Sequence, residues 1–192
     1  VRDPHGIRPA FYYQDDEVIA IASERPALQT AFGVRFRHIN EVPPGHSLII
    51  RKSGQLEVTP FTDPVKRIAC SFEHIYFSRG NDKTIYLERK QLGEQLSEPI
   101  LKMVNYDFEN TVYAYIPNTA ETAFYGLVEG LEKKLNKIKR ERIMELGPNP
   151  NADAVDRILA MRVRTEKLVV KDAKIRTFIA DDSSRGDLMS HV

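Results

Sequence analysis

The sequence has no tryptophan and only one cysteine, Cys70. A lone thiol cannot close an internal disulfide, and no cysteine and histidine cluster has zinc spacing, so a reducing compartment is expected, with the cytoplasm as default. Long hydrophobic runs are missing too. None approaches the roughly 20 residues that span a bilayer, and no membrane partner is expected. Neither sign of charge is in excess: 28 Lys and Arg stand against 27 Asp and Glu, a net charge of +1. General attraction to nucleic acid is therefore not expected, and any basic function must be local. The chain also lacks an initiating Met, and Val1-Arg2-Asp3-Pro4 lacks a signal peptide's charge pattern. Together with the apolar ending Leu188-Met189-Ser190-His191-Val192, this makes both ends read as cuts in a longer protein.

What is present suits a folded globular chain. Of its 192 residues 42% are hydrophobic, 29% charged and 9% aromatic, enough for one domain or two small ones. Residues 1 to about 66 read as antiparallel β structure with little helix. Val18-Ile19-Ala20-Ile21-Ala22 and Ser47-Leu48-Ile49-Ile50-Arg51 are β-branched runs, and Lys52-Ser53-Gly54-Gln55 is a turn into Leu56-Glu57-Val58. Between the runs, Ser23 is placed to cap a short helix that begins at Glu24-Arg25-Pro26-Ala27-Leu28 and stops at Gly33. Residues 61–67 read as a connector.

Beyond it the pattern changes. Leu92, Leu96, Ile100 and Met103 form one helical stripe, and Thr111-Val112-Tyr113-Ala114-Tyr115-Ile116 reads as a strand. After Pro117-Asn118-Thr119 comes a second helix, with Ala120, Ala123, Phe124, Leu127, Leu131 and Leu135 on one face. Strand, tight loop and helix are half of a βαβ unit and predict a parallel sheet covered by helices, with ligands where strands end and helices begin. Residues 132 to 174 are charge-rich, and Gly147-Pro148-Asn149-Pro150-Asn151 separates two helical candidates, the second over Ala154 to Val163.

The most specific string is Arg2-Asp3-Pro4-His5-Gly6-Ile7-Arg8-Pro9. Physically it is a turn, with Asp-Pro and Gly6 favouring reversal and the arginines available to carboxylates. It resembles a segment of the amidophosphoribosyltransferase family. Further strings follow in that family's order: Ser23-Glu24 with Ala27-Leu28, Pro44-Gly45, Cys70-Ser71-Phe72-Glu73-His74-Ile75-Tyr76-Phe77-Ser78-Arg79, Ile116-Pro117-Asn118-Thr119 and Arg176-Thr177-Phe178-Ile179. Together they cover nearly the whole chain.

The resemblance implies a glutaminase and phosphoribosyltransferase junction. Residues 1–70 would be the C-terminal half of an Ntn-type glutaminase domain. Residues 71–192 would be the first part of a type I phosphoribosyltransferase α/β domain, carrying a charge-rich insertion at about 132–174. The parent would be a glycosyltransferase of purine biosynthesis that uses glutamine, 5-phosphoribosyl 1-diphosphate and Mg2+, and a homo-oligomer. The family's N-terminal nucleophilic cysteine would precede Val1, so no catalytic residue is expected in this chain and the chain alone is expected to be inactive. Cys70, between Ile68 and Phe72, reads as a buried core thiol. Some members hold an iron-sulfur cluster with a cysteine at this junction, but the remaining ligands would lie past Val192, so no cluster is expected here.

The resemblance also implies site residues. Thr119, Lys174 and Arg176 are the candidates for binding phosphoribosyl diphosphate, the latter two on a mobile loop that either closes over diphosphate or stays solvated. Arg79 and Arg89 are candidates for a phosphate or regulatory nucleotide. No residue is assigned to a metal. Two departures stand out. Several family members have a serine where this chain has Ala120, and Lys171-Asp172-Ala173-Lys174-Ile175 replaces most of the mobile-loop string. Asp181-Asp182-Ser183-Ser184-Arg185-Gly186 has the composition of a ribose-phosphate loop, but it follows a short strand at a spacing one residue too tight. It reads as a continuation of the mobile loop. These departures admit a rival, a catalytically dead homologue acting as a binding or assembly module. A lesser rival is RNA binding by Lys133 to Arg142.

Overall fold

Turn chemistry organises the first part of the chain. In the computed structural model, which describes residues 1–63 and 65–169, Asp15 closes the turn between strands β1 (Phe11–Gln14) and β2 (Ile19–Ala22). Its carboxylate accepts the backbone N–H groups of Glu17 and Val18 at 2.9 and 2.8 Å. The strands pair antiparallel from Phe11↔Ala22 to Gln14↔Ile19, and β3 (Asn40–Glu41) joins the other edge of β1, giving the order β2-β1-β3. Helix α1 (Arg25–Phe32) follows β2 and ends at Gly33, whose φ of 62° is the left-handed conformation that halts a helix. Its N-cap is Glu24, which makes no side-chain capping bond, so Ser23 does not cap it as expected. Pro26 in the first turn supplies the start instead, since its fixed φ suits that position. Phe11, Leu28 and Ile39 form the core of this region. The expected hairpin is present as β4 (His46–Ile50) and β5 (Leu56–Pro60), in register from His46↔Pro60 to Ile50↔Leu56.

The chain divides into two compact units, Val1–Tyr86 and a second beginning at Leu87, a boundary that falls in the first turns of helix α2 (Lys83–Met103). Asp82 starts that helix: its Oδ1 accepts the N–H groups of Thr84 at 2.9 Å and Ile85 at 3.3 Å.

In the second unit α2 packs against α3 (Glu121–Glu145) through small residues. A Cβ on Gly93 would lie 1.7 Å from the Ala123 carbonyl oxygen, and one on Gly126 would lie 1.8 Å from that of Lys90. The backbones touch there, and only glycine fits. The buried residues of α2 are Ile85, Arg89, Gly93, Ser97 and Leu101, four apart. Leu92, Leu96 and Met103 of the expected stripe are exposed, Met103 by 82%. Close approach selects small side chains at a helix crossing, whereas the periodicity reading registers only large apolar ones. The α3 face appears as expected, with Leu127, Leu131 and Leu135 buried alongside Leu101, Phe108 and Tyr113.

The expected strand over 111–116 shortens to β6 (Val112–Tyr113), which pairs in parallel with β7 (Arg164–Thr165) through Val112↔Arg164 and Tyr113↔Thr165. Helix α4 (Ala152–Ala160) precedes β7, capped by Asn151, whose side chain accepts from the Asp153 N–H at 2.8 Å. The fold is thus mixed α and β with small sheets, antiparallel in the first unit and parallel in the second.

Candidate functional site

The loop from β6 into α3 is the place where the strand, loop and helix order predicts a ligand. Tyr113 ends the paired part of β6, residues 117–120 turn, and α3 begins at Glu121 after Ala120. The Glu121 N–H bonds the Asn118 carbonyl at 3.2 Å and the Phe124 N–H bonds that of Ala120 at 2.9 Å. No side chain caps this helix, because Ala120 has no hydroxyl to offer. The first turn of a helix presents unsatisfied N–H groups and a positive dipole end, which together attract anions. Thr119 is exposed on this turn.

Glu121, the one carboxylate in the first turn of α3, is already engaged. Its Oε1 accepts the phenol hydroxyls of Tyr125 at 2.8 Å and Tyr115 at 3.0 Å. Those two bonds, Tyr125's first and then Tyr115's, hold its pKa below the usual carboxylate range against some opposing desolvation, and the Lys167 charge adds to the effect. Tyr115 also stacks on Phe124 with ring centroids 4.9 Å apart. The loop is therefore fixed by aromatic side chains on its flank.

The other candidates are Arg79, Arg89, Lys174 and Arg176. Arg79 is exposed and its Nε pairs with Glu24 Oε2 at 2.9 Å. Arg89 lies on the buried face of α2, only 6% exposed, and burial lowers the pKa of its guanidinium. Lys174 and Arg176 lie outside the described residues, as do Arg176-Thr177-Phe178-Ile179 and the Asp181–Gly186 string. Cys70 is half-buried rather than in a core. Its neighbours Ile68 and Phe72 are exposed because this stretch runs along the outside of the first unit, tied down by bonds from Ile68 N–H to the His5 carbonyl and from Cys70 N–H to that of Ile7. Among the described residues no group of three or more His, Cys, Asp or Glu is arranged to hold a metal ion, and no helix is long and apolar enough to cross a membrane.

The string around Arg2 to Pro9 does form a turn, and its arginines do meet carboxylates. Gly6 takes φ 63°, and the Asp3 carboxylate accepts the N–H groups of Ile7 and, more weakly, Arg8. Those backbone bonds, led by Ile7's, hold the Asp3 carboxyl below its ordinary pKa despite some opposing desolvation. Arg2 is 4% exposed, bonds the carbonyls of Arg8 and Val42, and pairs with Glu41. Arg8 pairs with Glu73 at 2.6 Å. The string clasps β3 and the 66–73 segment onto the start of the chain.

Two features escaped the sequence reading. Arg25 sits between the rings of Phe11 and Phe36, its Cζ 4.6 and 4.4 Å from their centroids, and its Nε faces Asp82 at 3.3 Å. No local pattern joins residues 11, 25, 36 and 82. The second is the glycine contact between α2 and α3, for which the four-residue spacing of Gly126 and Gly130 was an available signal.

No family model matches the chain. Among curated proteins it is similar to the amidophosphoribosyltransferase of Bacillus subtilis, 27% identical over 187 residues, which is 94% of this chain and 37% of the relative. It is 33% identical over 132 residues to that of Archaeoglobus fulgidus, covering 67% of this chain and 27% of the relative. To that of Escherichia coli it is 33% identical over 128 residues, 62% of this chain and 25% of the relative. The fold is similar to that of the glutamine phosphoribosylpyrophosphate amidotransferase of B. subtilis complexed with ADP and GMP, with a TM-score of 0.63 and 24% identity, covering 97% of this chain and 33% of that one. The chain therefore spans 25 to 37% of the length of these curated relatives. In sequence and in fold, the chain belongs to the amidophosphoribosyltransferase family.

Proposed function

We propose that this chain contributes the segment joining the two activities of a glutamine-dependent amidophosphoribosyltransferase, the first step of purine synthesis. In this reading residues 1–70 belong to the Ntn-type glutaminase domain and residues 71–192 open a type I phosphoribosyltransferase domain. The parent hydrolyses glutamine and passes ammonia to C1 of 5-phosphoribosyl 1-diphosphate, where it displaces diphosphate and leaves 5-phosphoribosylamine. Positioning carries most of such a reaction.

The observation that carries the reading is the β6, loop, α3 and β7 arrangement, a parallel pair whose loop opens on a helix N-terminus. Thr119 is the hydroxyl on that loop and, with Lys174 and Arg176, is assigned to the diphosphate. The loop does not fit a protein-held Mg2+: residues 117–120 offer no carboxylate, and Glu121 is engaged by two tyrosines. Arg79 and Arg89 remain the candidates for a regulatory nucleotide, a role supported by the nucleotides named for the B. subtilis structure. The parent is assigned to the cytoplasm as a homo-oligomer.

The test is ammonia-dependent formation of phosphoribosylamine by the full-length parent. Thr119→Val is expected to lower kcat/KM for phosphoribosyl diphosphate by at least about tenfold, the loss of one good hydrogen bond to a charged group. A parent that forms no phosphoribosylamine from ammonia at saturating substrate overturns the proposal. One observation favours a second reading, a catalytically dead homologue that binds or assembles: Ala120 leaves α3 without a hydroxyl at its cap. That reading keeps ligand or partner binding and loses turnover, so the same assay separates the two.

A further inference from the structure

The first turn of α2 hangs on one carboxylate used twice. Asp82 Oδ1 accepts the N–H groups of Thr84 and Ile85, and its Oδ2 faces the Nε of Arg25 at 3.3 Å. Both side chains are withdrawn from solvent, that of Arg25 to 17% exposure and that of Asp82 to 6%. Arg25 opens α1, and its guanidinium stacks between Phe11 of β1 and Phe36 of the turn at Phe36–His38. One guanidinium therefore gathers β1, α1, that turn and the start of α2. Its neighbour Glu24 pairs with Arg79 just ahead of Asp82, but Arg79 is exposed there and such a pair adds little.

Stability is a poor reason for this pair. Two buried charges lose hydration that well-packed apolar side chains never had, so replacing such a pair by hydrophobic residues is often neutral or better. The pair is also incompletely satisfied, since Arg25 Nε is buried and has no hydrogen-bond partner among the described residues. What it supplies beyond an apolar contact is direction. Apolar side chains can slide past one another, whereas a planar guanidinium held between two rings meets a capping carboxylate in one arrangement. Its place gives that direction a use. The first unit ends at Tyr86, so residues 83–86 of α2 belong to it, and the same helix continues as residues 87–103 of the second. Asp82 is thus anchored in the first unit at the root of a helix that runs on into the other.

We propose that Arg25 and Asp82 are a positioning pair that couples the parent's two reactions, holding α2 so that ammonia released from glutamine reaches phosphoribosyl diphosphate instead of water. This rests on the function proposed above, and neither side chain is assigned to a reacting atom. The test measures glutamate released and phosphoribosylamine formed by the full-length parent, with glutamine and then with ammonia as the nitrogen source. The unaltered parent should form about one phosphoribosylamine per glutamate, because each glutamine hydrolysed yields one ammonia. Arg25→Met keeps the apolar stem, and Asp82→Asn keeps a side-chain oxygen that can cap α2. Each should release at least about three glutamates per phosphoribosylamine while ammonia-dependent kcat stays within about twofold. The double variant should be uncoupled no further than the worse single variant, since either change already breaks the one pair. A merely structural role lowers both activities together with the ratio unchanged, or leaves neither variant folded, and either result overturns the proposal, as does additive uncoupling in the double variant. Where Arg25→Met alone yields no soluble parent, Asp82→Asn decides. An unaltered parent without ammonia-dependent turnover overturns the proposed function. One that turns over, with both variants still coupled, overturns this inference alone.

Discussion

Tyr113 illustrates how far one atom can matter in a buried strand. The residue is 6% exposed, and its hydroxyl has no hydrogen-bond partner among the described residues. Burial raises the pKa of the phenol, with the nearby Asp107 charge adding to the effect. A buried polar group left unmade costs about 1–3 kcal/mol, so Tyr113→Phe should raise the free energy of unfolding by about 1 kcal/mol, read from the urea midpoint. The pH dependence gives a second check. Above pH 10 the unfolded tyrosine ionises while the folded one resists, so the unfolded state binds fewer protons and stability falls as pH rises. The phenylalanine variant lacks this loss, so the two proteins should diverge further on the alkaline side. Parallel alkaline profiles would mean that the folded phenol ionises as readily as the unfolded one, against the raised pKa. The sequence marked Tyr113 as part of an apolar strand, but an unpaired hydroxyl depends on what surrounds it in three dimensions.

Helix α2 is where element and sequence part company. Its existence followed from periodicity, yet the face it buries did not, because Gly93 and Ser97 carry almost no hydrophobic signal while making the closest contacts to α3. Ser97 directs its hydroxyl to the Glu94 carbonyl at 2.7 Å and so hides its polarity within its own helix. A direct comparison follows. Leu92→Gln with Leu96→Gln replaces two exposed side chains and should change stability by no more than about 0.5 kcal/mol each. Leu101→Ala removes a side chain with 0% exposure and should cost about 2–5 kcal/mol. If chemical denaturation shows the paired glutamines to be the costlier change, the expected stripe is the buried one after all. The other elements were legible where turn chemistry fixed them. Gly33 ends α1 and Gly54 sits in the β4–β5 turn, each with positive φ, while the long-range bonds of Arg2, Arg25 and Asp82 had no local signature.

For the whole chain, family membership was legible because ordered strings run through it, and the candidate site was legible only as a loop. Thr119 stands on that loop, but its flank of Tyr115, Tyr125 and Glu121 arises from side chains meeting across the β6–α3 turn and could not be read from spacing. The two described cores have no residue in common: Phe11, Leu28 and Ile39 make one, and Leu101, Phe108, Tyr113, Leu127, Leu131 and Leu135 the other. Cooperative opening follows shared burial, so each core should set the protection of its own backbone amides. Leu131→Ala tests this, because Leu131 has 0% exposure and its truncation should cost about 2–5 kcal/mol. By native-state hydrogen exchange, the amides of α3 around Leu127, Leu131 and Leu135 should lose protection by that amount. The paired amides of β1 and β2 should keep theirs to within about 0.5 kcal/mol, the margin within which independent sites add. Equal loss in both regions would mean that the chain opens as one cooperative body, and that the boundary near Tyr86 divides contacts without dividing stability.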